Sequence, residues 1–148
     1  MKYTVDQLIN AMESKGYTVF TKGDYNINTV GVRTSKSGDK VSNKFDDYLY
    51  VFYKVNGKYQ IYEYPCTTIA GLVYFKNPML PDFGTAILVP GQYRASHCLG
   101  WHYGHPALQQ VGNLKLFRDK NRDDIIDCDW KTINAGSWFG INIHYSSN

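Results

Sequence analysis

A chain of 148 residues with 43% hydrophobic and 20% charged residues has enough apolar material for one core and is too ordinary in composition for a disordered segment. The formal charge of +3 comes without any run of Lys or Arg, which excludes the electrostatic footprint of a nucleic-acid binder, and no stretch approaches the roughly 20 apolar residues of a membrane-spanning helix. Three cysteines, Cys66, Cys98 and Cys128, without CxxC spacing, argue against a disulfide framework or a structural zinc site.

The opening Met1-Lys2-Tyr3-Thr4-Val5-Asp6 lacks the apolar core of a secretory signal, so the expectation is a protein made in the cytosol without a leader. Val5, Leu8, Ile9 and Met12 then fall at helical spacing, with Thr4 as N-cap, Gln7 as its capping-box partner and Gly16 as C′ residue, which predicts an amphipathic helix over 5–15. Beyond it the period changes to two, and strands are predicted over Tyr17–Phe20 and Ile27–Thr34 around the turn Lys22-Gly23-Asp24. Ser35–Asn43 reads as an exposed polar loop. Tyr48–Val55 and Lys58–Tyr64 flank Asn56-Gly57, the dipeptide best suited to a type I′ turn, and so predict a β-hairpin that Pro65 ends. Further strands are predicted over Leu72–Phe75, Thr85–Val89, Leu114–Arg118 and Phe139–His144. One helix followed by seven or eight strands, with no linker or repeat, predicts a single α+β, mainly β domain over 1–148 with a sandwich or barrel-like sheet. An aromatic content of 16%, thirteen tyrosines among it, suits strand packing and wet binding faces alike.

Two groups of residues could carry chemistry. Asp119, Asn121 and Asp123 alternate, followed by Ile125 and then Asp127, a spacing similar to the first nine positions of a calcium loop, with the Ile125 carbonyl as a further oxygen. Position six is Asp124 where such loops place glycine, and position twelve is Trp130, with Asp129 the nearest carboxylate; the competing reading is a polar turn in which Asp and Asn bond their own backbone. The second group is histidine: His97, His102, His105 and His144 are the four in the chain, and none has HExxH-type metal spacing. Cys98 beside His97 suggests a nucleophile and base, but neighbours in a strand point to opposite faces. In Ile141-Asn142-Ile143-His144 the alternation puts Asn142 and His144 together on a polar face at a strand end, where His144 is either a solvated histidine or an acid–base residue.

Lys15-Gly16-Tyr17, Asn28-Thr29-Val30-Gly31-Val32-Arg33, Phe45-Asp46-Asp47, Gly84-Thr85-Ala86-Ile87-Leu88 with Gly91-Gln92-Tyr93, Arg118-Asp119-Lys120-Asn121-Arg122-Asp123 and Phe139-Gly140-Ile141-Asn142-Ile143-His144 follow one another as in a group of bacteriophage and prophage proteins, and the resemblance spans nearly the whole chain. In that group the histidine strand is followed by Ser-x-Gly-Cys, similar to the catalytic signature of L,D-transpeptidase-like domains that process peptidoglycan stem peptides. The resemblance implies that His144 is the base of a cysteine nucleophile and that Gly100-Trp101-His102, similar to a Gly-x-His segment of the group, lets His102 line the same cleft. After His144 come only Tyr145, Ser146, Ser147 and Asn148, so the expectation is a C-terminally incomplete catalytic domain that alone neither cleaves nor cross-links peptides. Peptidoglycan or other phage proteins are the implied partners, with the protein virion-associated or released at lysis. The alternatives are a non-catalytic virion or cell-wall-binding β module, and a calcium-stabilised β domain that binds carbohydrate through its tyrosines.

Overall fold

Capping chemistry opens the structure, a computed structural model that describes residues 1–146, so that Ser147 and Asn148 lie outside the described residues. Thr4 accepts the Gln7 amide at 3.3 Å while the Gln7 side chain accepts the Thr4 amide at 2.9 Å, which satisfies two of the orphan donors at the start of α1 (Val5–Glu13). Bonds from Gly16 to the Glu13 carbonyl and from Tyr17 to the Met12 carbonyl close the helix just past Ser14. Leu8 is its buried contact, packed with Tyr50 and Phe52.

The chain divides into two compact units, the first made of Met1–Lys36 with Ser42–Thr68, the second of Ser37–Val41 with the chain from Ile69 onward. In the first, β1 (Asn28–Val32), β2 (Asp47–Val55) and β3 (Lys58–Cys66) form an antiparallel sheet in the order β1-β2-β3. The hairpin turns at Asn56-Gly57 with φ of 50° and 74°, and Asp24 accepts both turn amides, at 2.7 and 3.3 Å. Alternation sends Tyr50, Phe52, Val30 and Ile61 to the face that packs with α1. Tyr25, Tyr53 and Tyr62 make successive ring contacts at 5.9 and 6.1 Å, Tyr53 and Tyr62 lying on the opposite face.

In the second unit, α2 (Leu72–Lys76) precedes β4 (Thr85–Leu88), β5 (His97–His102), β6 (His105–Gln110), β7 (Leu114–Asp119), β8 (Asn134–Gly136) and β9 (Ile143–His144). These strands pair antiparallel as β4-β7-β8 and as β5-β6-β9. Phe75, Ile87, Val89, Phe117, Ile126 and Val41 are its buried apolar cluster. The protein is thus α+β and mainly β, with nine strands among the described residues shared between three three-stranded sheets instead of one continuous sheet. No helix among the described residues is long and apolar enough to cross a membrane.

Four local expectations are corrected. Leu72–Phe75 is helical: a continuous apolar run does not distinguish strand from short buried helix, and the i, i+3 spacing lets Leu72 and Phe75 face the core while Val73 and Tyr74 stay exposed. Tyr17–Phe20 joins no ladder, because the buried Asn28 side chain supplies both bonds a partner strand would make to Phe20, at 2.9 Å each. Pro65 does not end its strand; β3 is an edge strand in this sheet, so a residue without an amide hydrogen is tolerated opposite Tyr48. Ser35–Asn43 is no simple exposed loop, since Val41 is buried and backbone bonds of 2.8–2.9 Å tie Gly38 and Asp39 to Ile126 and Val41 to Asp124.

Candidate functional site on the β5-β6-β9 sheet

β5 and β6 are a tight hairpin whose turn, Tyr103-Gly104, has φ of 46° and 80°, and His102 stands directly opposite His105 across it. In this register Gly100, Ala107 and His144 form one cross-strand row, so small side chains lie beside the His144 ring. His102 is on the same face two residues further along β5, and its ring centroid lies 4.4 Å from that of His144. Residues 42 positions apart in the chain thus meet because two strand pairings share β6.

The approach of β9 is held from beneath. Gln110, almost fully buried, donates from its side-chain nitrogen to the carbonyls of Gly112 and Gly136, at 3.0 and 3.3 Å, while its oxygen accepts the amides of Phe139 and Ile141, at 3.2 and 3.1 Å. His97 adds a bond from Nε2 to the Ile141 carbonyl at 2.8 Å. Every polar atom of the Gln110 amide is therefore engaged, and Asn142 is delivered beside β6 just before the paired residues Ile143 and His144. Asn142 Oδ1 accepts the Gln110 backbone amide at 3.0 Å, and its Nδ2 lies 3.1 Å from His102 Nδ1. His144 Nδ1 lies 2.8 Å from the Tyr145 carbonyl, which only accepts, so Nδ1 carries the hydrogen and Nε2 the lone pair in the neutral ring.

A Cβ at Gly100 would sit 2.1 Å from Gln109 Oε1, because the Gln109 side chain crosses that position to reach the Trp101 carbonyl, so a side chain here would displace Gln109 from that bond. Gly100 separates Cys98 from His102 on their common face, where four residues of strand span about 13 Å. Cys98 is a free, exposed thiol, and β5 sets it and His97 on opposite faces. Cys66 is poorly suited to nucleophilic work, since burial first and the Asp47 carboxylate second push its thiol up to about 11. Cys128 packs against the apolar cluster of the second unit.

The acidic segment has different geometry. Asp119, 2% exposed at the end of β7, accepts the Asp127 amide through Oδ2 at 2.9 Å, while its Oδ1 has no hydrogen-bond partner among the described residues. Burial first, then the neighbouring Asp127 and Asp123 charges, hold its carboxyl above the usual range against the pull of backbone amides. Asn121 donates from Nδ2 to Asp127 Oδ2 at 2.6 Å, and Asp123 accepts the Ile125 amide at 2.7 Å. Asp129 accepts from Lys131 and Thr132, each at 2.9 Å. Among the described residues no group of three or more His, Cys, Asp or Glu is placed to hold a metal ion.

Of the residues singled out from sequence, His102 and His144 are brought together, and Asn142 shares their face. Gln110 and Gln109 escaped sequence reading because HPALQQ has neither β-branched residues nor a clean apolar alternation. Comparison with models of known protein families, with curated proteins and with solved structures finds no match for this chain.

Proposed function

We propose that the β5-β6-β9 sheet is the histidine half of a phage-type, L,D-transpeptidase-like site that acts on peptidoglycan stem peptides. The observation that carries the reading is the juxtaposition of His144 with His102 at 4.4 Å, with the His144 Nδ1 hydrogen held by a carbonyl and Nε2 left as an acceptor. In this reading His144 Nε2 takes the proton of a cysteine thiol supplied by a Ser-x-Gly-Cys segment, and the thiolate attacks a stem-peptide amide carbon. The C–N bond breaks, His144 returns the proton to the leaving amine, and the thioester passes its acyl group to an amine or to water. Within the 148 residues no thiol takes that part, so the chain by itself is inactive. The test is release or cross-linking of peptides from purified peptidoglycan by this chain and by a version extended through Ser-x-Gly-Cys. Activity confined to the extended chain and abolished by His144→Ala supports the reading; activity in the short chain that survives His144→Ala defeats it.

In a second reading the protein is a non-catalytic virion or cell-wall-binding module stabilised by calcium, and the buried Asp119 Oδ1, without a hydrogen-bond partner among the described residues, favours its calcium part. Asp119, Asn121, Asp123 and Asp127 with the Ile125 carbonyl would be the ligands, and the cation would replace the bond between Asn121 and Asp127. Millimolar calcium should then raise the thermal midpoint of the wild type, magnesium less so, and Asp119→Asn should abolish the shift. A midpoint indifferent to calcium rejects this reading.

A further inference from the structure

Two imidazoles in contact can share a task only if their protonation is complementary, and the hydrogen bonds around them decide that. The Gln110 backbone amide can only donate, so the Asn142 side-chain atom that meets it at 3.0 Å is the oxygen. The other end of the same planar amide is then an NH2 group, which can only donate, and it faces His102 Nδ1 at 3.1 Å. Nδ1 of His102 is consequently the bare nitrogen and Nε2 carries the hydrogen. His144 is the reverse, because the Tyr145 carbonyl accepts from its Nδ1 at 2.8 Å.

We infer that Asn142 is a positioning residue that locks His102 as its Nε2–H tautomer, opposite to the Nδ1–H tautomer of His144, so that the ring pair offers one donor and one acceptor. His144 Nε2 receives a proton while His102 Nε2–H donates to an oxygen that gains negative charge, such as the carbonyl oxygen of an amide under attack. The tautomer assignment stands on the hydrogen bonds alone; the donor role rests on the stem-peptide reading given above. Gln110 sets the arrangement twice, through the backbone amide that orients Asn142 and through the side chain that holds Ile141.

The experiment is long-range 1H–15N correlation on the full chain with 15N-labelled histidine, at about pH 8 where an ordinary imidazole is neutral. The expected spectrum shows His102 protonated at Nε2 and His144 protonated at Nδ1. Asn142→Asp keeps an oxygen for the Gln110 amide and offers a second oxygen to His102, and should move the His102 proton to Nδ1. A wild-type His102 protonated at Nδ1, or a His102 pattern that Asn142→Asp leaves unchanged, overturns the inference, and the wild-type spectrum alone decides should the variant not fold. Since no substrate is present, this result is independent of whether peptidoglycan is the substrate. In the chain extended through Ser-x-Gly-Cys, Asn142→Asp should lower kcat about a hundredfold with little change in KM. A flipped tautomer with unchanged kcat overturns the donor role.

Discussion

Asp47 in the first unit and Asp119 in the second are the same side chain at the same 2% exposure, yet their surroundings are opposite. Asp47 opens β2 and accepts four hydrogen bonds: the Thr34 amide and hydroxyl on Oδ1, at 2.8 and 3.1 Å, and the Thr68 amide and hydroxyl on Oδ2, at 2.8 and 2.6 Å. Burial raises its carboxyl, but the bonds from Thr68 and Thr34 together hold it below the ordinary value. Asp119 accepts the Asp127 amide on Oδ2 while Oδ1 has no hydrogen-bond partner among the described residues, and its carboxyl is raised by burial and by like charges. Burial alone therefore says nothing of a carboxylate's role. A fully satisfied one is a clasp between chain segments, whereas a half-satisfied one surrounded by acids retains capacity for a proton or a cation.

The largest expected effect comes from removing the clasp. Asp47→Ala leaves two amides and two hydroxyls without their acceptor and should lower unfolding stability by about 3 kcal/mol in urea titrations. A loss below about 1 kcal/mol would erase the contrast between the two aspartates.

A smaller effect of opposite sign is expected from Asp119→Asn. The change removes a disfavoured charge and keeps an acceptor for the Asp127 amide, so without added calcium it should raise stability by about 1 kcal/mol. Acid titration separates the two sites by direction. The contribution of Asp47, whose folded value lies below its ordinary 3.8, is complete above 3.8 and lost as pH falls below it through the depressed value. The Asp119 penalty, set by a folded value above 3.8, is relieved as pH falls through the raised value toward 3.8. Stability of the Asp47→Ala variant should therefore fall less steeply than wild type below 3.8, and Asp119→Asn should remove the upward trend just above it. Parallel profiles for the two variants would break the comparison.

The smallest effect concerns the same acidic segment. Lys40 Nζ lies 3.2 Å from Asp124 Oδ2 with both side chains exposed, so Lys40→Ala should cost at most about 0.5 kcal/mol and less in high salt. A larger cost would mean that the pairing of 37–41 with 124–126 depends on charge instead of its backbone bonds.

The helix cap at Thr4 and Gln7, the hairpin at Asn56-Gly57 and the shared face of Asn142 and His144 were legible in the sequence because each depends on residues within a few positions of one another. The apolar run Leu72–Phe75 was not, since its helical form is selected by which residues reach the core. The hairpin from His97 to Gln110 was hidden by a tyrosine at positive φ, a conformation few tyrosines adopt, in the turn position where Asn or Asp is the usual signal.

The sequence by itself determined the candidate histidines and the alternation that puts Asn142 and His144 on one face of a strand end. That His144 meets His102 was decided by tertiary structure, through the pairing of both β5 and β9 to β6, and so was the clamp by which Gln110 holds residues 136–141. The physical reason is that a side chain's face follows from a period of two, whereas its neighbour across a sheet follows from register, and register between strands some 40 residues apart is set by the sum of distant hydrogen bonds.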